Sequence, residues 1–180
     1  MLAFASPLVA RPASARSLAD VEMPDSVQVE GRHLVLNGMA LYRKLGFPVL
    51  VAGLYLSNPE TDPSRIFGSD SSRRYVTHFL RSVSAKRICD AWKKGLEDNT
   101  PNASEEVRAQ FRALYHWMRD FHAGDEITVT YVPAIGSRVE VSGTEMGVIP
   151  GKGFADSYFG LALGPKPGPG DKFKRRLLGG

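Results

Sequence analysis

Apolar, uncharged positions run without a break from Val49 to Leu56, in a stretch that reads VLVAGLYL and stops at Asn58-Pro59. A membrane-spanning helix needs about 20 such residues, so this run is too short to be one. A strand with one face in water alternates apolar and polar side chains, and this stretch does not. The pattern therefore predicts a strand covered on both faces, and the second cover can be either protein or a bound ligand.

Alternating apolar positions predict further strands on both sides of this run. The segment SVQVEGRHLVLNG predicts two strands that turn at residues 30–32, with another turn at Asn37-Gly38. A mixed-face strand is predicted over residues 73–81, and residues 125–150 predict two more strands that turn near Ser142-Gly143. The sequence thus predicts several short strands that follow one another closely along the chain.

Helical periodicity interrupts and follows the strands. Ser84 is predicted to cap a helix that runs through Asp98, with Ile88, Trp92 and Leu96 as its buried stripe. A second helix is predicted from a capping-box pattern at Asn102 to a stop at Gly124. Shorter helical segments are predicted at PSRIFG, GFADSYFGLALG and DKFKRRLLG. This order indicates an α+β fold with helices packed on one face of a mainly antiparallel sheet.

Composition and charge narrow the range of partners. The 180 residues are enough for one domain, and the net charge is a mild +4, from 23 basic and 19 acidic residues. The densest basic run, KFKRR at residues 172–176, is typical of a solvated helix face. No aromatic-interleaved basic motif supports nucleic-acid recognition. We therefore predict no nucleic-acid partner, and membrane contact that is at most peripheral.

The N-terminal segment indicates the compartment. Residues 1–20 contain a short apolar stretch followed by Ala13-Ser14-Ala15, a small-x-small pattern like the end of a secretory signal peptide. Such a segment predicts a periplasmic or secreted protein whose mature chain begins near Arg16, with one domain over residues 21–180. The alternative is a disordered tail on a cytoplasmic protein.

Motifs for metal binding and covalent catalysis are absent from the sequence. His116 and His122 are six residues apart on one predicted helix and so point to different faces. The single cysteine, Cys89, falls in mid-helix beside the apolar stripe, and no G-x-S-x-G elbow occurs. We therefore predict neither a metal site nor a cofactor, and we assign no catalytic residues.

Basic side chains close to the apolar strand offer a different kind of site. Arg43 and Lys44 lie between the Asn37-Gly38 turn and the strand, and Arg81 ends the neighbouring strand. A guanidinium beside an apolar cleft can bind an anionic head group through two parallel hydrogen bonds. An exposed arginine on a loop is the simpler alternative.

Several motifs in fixed order resemble the bacterial chalcone isomerase-like family. They include LNGMALYRK, VLVAGLYL, THFLRSVSAKRICDAWKKGLEDN and the long segment from GDEITVTYVP to LALGPKP. The resemblance covers residues 34–179 and implies an open-faced β-sandwich, in which a large antiparallel sheet and a layer of helices enclose an apolar cleft. The VLVAGLYL strand would then form part of the cleft floor.

The functions implied by the resemblance differ among the family's members. Some plant relatives close a chalcone to a flavanone, whereas others bind fatty acids without catalysis. In the isomerases an arginine follows a G-x-G turn and a threonine lies on the strand ending in VYL; the fatty-acid binders carry a tyrosine there. In this sequence the strand position falls on Leu50, the second glycine is Ala40, and the arginine matches Arg43, or Tyr42 in an ungapped count.

The sequence therefore predicts a non-catalytic protein that binds a small apolar carboxylic acid, such as a fatty acid, in a cleft between sheet and helices. The expected ligand-binding residues are Arg43, Tyr42, Leu50, Val51, Leu54 and His78. Two alternatives stay open: an intramolecular lyase of the chalcone isomerase type, and an interaction protein with a vestigial cleft.

Overall fold

The computed structural model describes residues 14–180. Within them, nine strands alternate with five helices. The strands are β1 (Ala15–Leu18), β2 (Val21–Pro24), β3 (Ser26–Val29), β4 (Arg32–Lys44), β5 (Phe47–Leu56), β6 (Arg73–Phe79), β7 (Glu126–Val132), β8 (Gly136–Val141) and β9 (Thr144–Ile149). The helices are α1 (Pro63–Gly68), α2 (Ala85–Asn99), α3 (Glu105–His116), α4 (Lys152–Leu163) and α5 (Asp171–Leu177).

Seven strands form one antiparallel sheet in the order β3-β4-β5-β6-β7-β8-β9, so each strand pairs with its neighbours in sequence. The helices pack on one face of this sheet, and β1 pairs with β2 in a separate two-stranded sheet. The predicted α+β class and the open-faced sandwich are confirmed.

Strand β5 is covered on both faces, as the unbroken apolar run predicts, and protein covers each face. Ala52 and Leu54 are completely buried on the face toward the helices. Val51 and Tyr55 are buried on the opposite face. There they belong to a second hydrophobic core, which includes Val21 of β2. Both faces of the strand therefore belong to hydrophobic cores.

The N-terminal boundary differs from the predicted one at residue 20. Ala15–Leu18 is already a strand, paired with Val21–Pro24, so residues 15–20 are part of the folded unit. The rest of the predicted signal segment, residues 1–13, lies outside the described residues, and export stays a prediction.

The turn predicted at Asn37-Gly38 is wrong, because β4 continues through both residues to Lys44. The register shifts between Leu36 and Gly38, which marks a β-bulge. Asn37 uses its side chain there to bind other segments: its amide nitrogen donates to the carbonyl oxygens of Glu60 (3.0 Å) and Leu177 (2.9 Å). A turn-forming dipeptide therefore serves as a docking point inside a strand.

Helix α3 also departs from the prediction at both ends. It is capped by Ser104, which accepts from the Val107 backbone N–H, and it stops at His116 instead of continuing toward Gly124. The chain leaves the helix early because Phe121 forms a β-bridge with Val83 and stacks on Phe79, with ring centroids 4.7 Å apart. Tertiary contacts here override the helical periodicity.

Candidate functional site

A groove runs along the part of β4 that β3 leaves unpaired. Strand β3 pairs only with residues 32–35 of β4, and from there to Lys44 the edge faces β1 on one side and α5 on the other. The groove has a volume of about 680 Å³, which is within the usual range for small-molecule sites. We call it the basic groove; its lining comprises Arg16, Ser17, Leu18, Asn37, Gly38, Met39, Leu41, Tyr42, Arg43, Pro169, Lys172, Phe173, Arg176, Gly179 and Gly180.

The bulge in β4 fixes the position of α5 against this edge. Gly38 has no side chain, and a Cβ there would lie 2.5 Å from the carbonyl oxygen of Leu177. The backbone of α5 can therefore approach the strand directly, and Asn37 binds the same carbonyl. This contact positions Phe173, whose ring meets that of Tyr42 edge-on at 6.4 Å between centroids.

Four cationic side chains surround the groove: Arg16, Arg43, Lys172 and Arg176. Arg16 pairs with Asp25 at 3.2 Å, while Arg43 and Arg176 donate to main-chain oxygens of Gly46 (3.0 Å) and Gly180 (3.1 Å). No Asp or Glu side chain is in the lining. A positive potential should therefore extend over the groove and favour an anionic ligand.

The surface between these cations is largely apolar. Leu18, Met39 and Leu41 come from the strands, and Pro169 and Phe173 come from α5 and the segment before it. Met39 and Leu41 also pack against the core on the outer face of the sheet, so the strand holds them in place. Apolar surface bordered by cations matches a ligand with a hydrocarbon body and an acidic head.

Only two of the six predicted ligand-binding residues, Tyr42 and Arg43, line the basic groove. Leu50 and Leu54 face the helices, where Leu54 is completely buried. Val51 is completely buried on the opposite face. The three side chains cannot form one wall, because neighbouring residues of a strand point to opposite faces.

His78 lies away from the groove as well. It is paired in register with Val51 in the sheet, and its Nδ1 lies 2.8 Å from Glu126 Oε1. The imidazole therefore contacts a carboxylate on the neighbouring strand β7 instead of facing the groove. The predicted six residues therefore do not converge on a single cavity.

The other three cations of the groove are not among the ligand-binding residues predicted from the sequence. Lys172 and Arg176 belong to the KFKRR run, whose composition predicts a solvated helix face, and Arg16 falls in the predicted N-terminal segment. The basic run was a visible signal, but only the packing of α5 against β4 shows which surface it borders.

A second cavity, of about 430 Å³, lies on the helical side between α1, the α2–α3 connection and α4. Asp156 on its wall forms an ion pair with Arg73, whose side chain is 1% exposed. The guanidinium also lies over the rings of Tyr131 and Phe159, at 5.2 Å and 4.9 Å from the ring centroids. The ion pair between Arg73 and Asp156 joins β6 to α4, and we assign it a structural role.

Tyrosine phenols near the core stay protonated over the physiological range. Burial raises the pKa of Tyr55 to about 12 and raises those of Tyr75 and Tyr158 further. Among residues 14–180, no group of three or more His, Cys, Asp and Glu side chains is arranged to hold a metal ion. In the same range, no helix is both long and apolar enough to cross a bilayer.

The chain belongs to the chalcone isomerase-like family, whose model matches residues 15–179. Comparison with curated proteins finds no similar sequence. Among solved structures, the fold is similar to that of the Arabidopsis thaliana fatty-acid-binding protein AtFAP1, with a TM-score of 0.69 and 16% sequence identity. The match covers 92% of this chain and 96% of that one, so the two share a fold over nearly their whole length.

Proposed function

We propose that the protein binds a small apolar carboxylic acid, such as a fatty acid, in the basic groove and catalyses no reaction on it. The observation that carries the proposal is the groove itself, in which four cations border an apolar surface in a volume of about 680 Å³. The fold shared with AtFAP1, a protein named for fatty-acid binding, is consistent with this role.

Two parts of the groove would contribute different properties. Burial of an acyl chain contributes about 0.8 kcal/mol per methylene, so the apolar lining should supply most of the affinity. A charge-assisted hydrogen bond contributes about 1.5–3 kcal/mol, so the cations should supply orientation and a preference for acids. Arg43 directly follows Tyr42 on β4 and is the arginine that the family resemblance matches to the ligand-binding arginine, so we assign the carboxylate contact to it.

A comparison of lauric acid with dodecanol tests the proposal. Arg43→Ala should weaken binding of the acid by about ten- to a hundredfold and leave binding of the alcohol nearly unchanged. Titration calorimetry of both ligands below their aggregation limits measures this. Arg87→Ala is the matched control, since Arg87 is an exposed arginine on α2 outside the groove.

Three outcomes would contradict the proposal. If the unaltered protein binds no fatty acid, the interaction role gains support. If Arg43→Ala weakens acid and alcohol equally, the arginine has a structural role. If the protein closes naringenin chalcone faster than about one turnover per second, the lyase alternative gains support, although Leu50 offers no side-chain hydrogen bond where the family's isomerases carry a threonine.

A further inference from the structure

The turn between β4 and β5 presents two large apolar side chains to solvent. Leu45 is 90% exposed and Phe47 is 62% exposed. The other exposed large apolar residues of the described chain, Ile135 and Val148, are 46% and 40% exposed. The two most exposed are thus separated by a single residue, Gly46, at the end of a hairpin.

Leu45 is also unfavourable for the backbone conformation that it adopts. The hairpin turns through Leu45 and Gly46, which both have positive φ, at 51° and 82°. Turns of this kind favour Asn, Asp or Gly at the first of these positions, because a bulky side chain is strained there. Of the six non-glycine residues with positive φ in residues 14–180, Leu45 alone carries a large apolar side chain.

Cations flank the exposed pair. Arg43 and Lys44 immediately precede the turn and are exposed, and the guanidinium of Arg81 lies 5.6 Å from the centre of the Phe47 ring. Two carboxylates at this end of the sheet are engaged by other side chains: Asp125 binds Arg119, and Glu126 contacts His78. The turn therefore presents two apolar side chains that are flanked by three cations, Arg43, Lys44 and Arg81.

We propose that this hairpin tip, residues 43–48 with Arg81, docks the protein on the surface of an anionic membrane. Leu45 and Phe47 would enter the boundary between head groups and acyl chains, while the cations contact lipid phosphates. A bilayer suits the geometry better than a protein partner, because a stable protein interface buries about 800 Å² on each side and two residues on a narrow turn offer far less.

Arg43 belongs to both the hairpin tip and the basic groove, so docking would bring one end of the groove to the bilayer surface. Uptake of an acid from the membrane would follow from that position, and this last step rests on the proposed function. The docking itself needs no ligand in the groove.

Vesicle flotation tests the docking. The protein should bind vesicles of equal parts phosphatidylcholine and phosphatidylglycerol more tightly than vesicles of phosphatidylcholine alone, and salt should weaken that binding. Leu45→Asn should reduce binding about tenfold. Because Asn is favoured at this turn position, the variant should keep its melting temperature, and misfolding would not explain the loss.

Two further variants sharpen the test. Lys44→Gln with Arg81→Gln should reduce binding to the anionic vesicles by about fivefold for each charge removed. Ile135→Asn is the matched control, because Ile135 is an exposed apolar residue in the turn at the opposite end of the sheet. It should leave vesicle binding unchanged.

The proposal is overturned if the unaltered protein fails to float with anionic vesicles, or if Leu45→Asn floats equally well. It is also overturned if Ile135→Asn causes the same loss, since binding would then follow general hydrophobicity. Lauric acid titration without vesicles is unaffected by any of these outcomes, so failure of docking is distinguishable from failure of the groove.

Discussion

Asp125 closes the loop that leads into β7. Its two carboxylate oxygens accept from Arg119 Nη1 and Nη2 at 2.9 Å and 3.0 Å, from the His122 backbone N–H at 2.8 Å and from the Ser142 hydroxyl at 2.9 Å. The hydrogen bonds from Arg119, His122 and Ser142 hold the pKa of Asp125 well below its usual range. One side chain thereby joins the end of the α3 region to the β8–β9 turn.

Replacement of this carboxylate should give a pH-dependent loss of stability. Because folding lowers the pKa, the ionised carboxylate stabilises the protein above the unfolded pKa of about 3.9, and this contribution is lost as the pH falls toward the folded value. We expect Asp125→Asn to lower the urea midpoint at pH 7 and to differ less from the unaltered protein at pH 3. Glu22→Gln, an exposed control, should behave like the unaltered protein at pH 7. An equal loss at both pH values would show that the effect is steric.

At the scale of the element, the strands and helices predicted from sequence patterns are correct where local periodicity and burial agree. The apolar run of β5 and the helix capped by Ser84 are observed as predicted. The stripe on α2 is confirmed for Ile88 and Leu96, whereas Trp92 is only half-buried, against the ring of Tyr158 at 5.5 Å. Helical spacing gives the buried side of a helix, but the depth of each side chain depends on the layer that it meets.

The predictions failed where a distant segment decides the local conformation. Asn37-Gly38 has the composition of a turn, yet both residues serve the contact with α5, about 140 residues later in the chain. Asn37 binds α5 through its side-chain amide, and Gly38 lets α5 approach because it has no side chain. Lys172 and Arg176 are exposed, as predicted for a solvated helix face, but only that same contact places them beside β4. The family resemblance predicts Tyr42 and Arg43, but only the folded structure shows how they lie relative to the other cations.

Gly38 should therefore tolerate no side chain. A Cβ at this position would lie 2.5 Å from the Leu177 carbonyl oxygen and closer still to that of Arg176, and both are backbone atoms that cannot rotate away. We expect Gly38→Ala to destabilise the protein by about 1–3 kcal/mol, as overpacking does. Urea denaturation measures the change.

Gly160→Ala provides the comparison for Gly38→Ala. Gly160 lies inside α4, and a Cβ there would meet nothing within 4 Å. Alanine is the better helix former by roughly 1 kcal/mol, so this variant should be neutral or more stable. If Gly38→Ala were equally well tolerated, α5 would not approach β4 as closely as described.

At the scale of the whole molecule, the sheet depends on cover from both sides. Helices cover the face that carries Leu54, and the β1–β2 pair covers part of the face that carries Val51 and Tyr55. Val21 and Met23 of β2 are 5% and 3% exposed, and the Tyr55 hydroxyl donates to the Pro24 carbonyl at 3.0 Å. The N-terminal pair is thus part of the second core.

This arrangement predicts different stabilities for two truncated chains whose first residues are ten positions apart. A chain that begins at Arg16, the end that cleavage after Ala15 would produce, keeps β2 and the Arg16–Asp25 ion pair and should unfold like the full chain. A chain that begins at Ser26 loses Val21 and Met23 and should be less stable by at least about 2–5 kcal/mol, the usual cost of truncating one buried methionine. Urea denaturation with dye binding to exposed apolar surface measures both, and equal stability of the two chains would show that β1–β2 is not needed to cover the sheet.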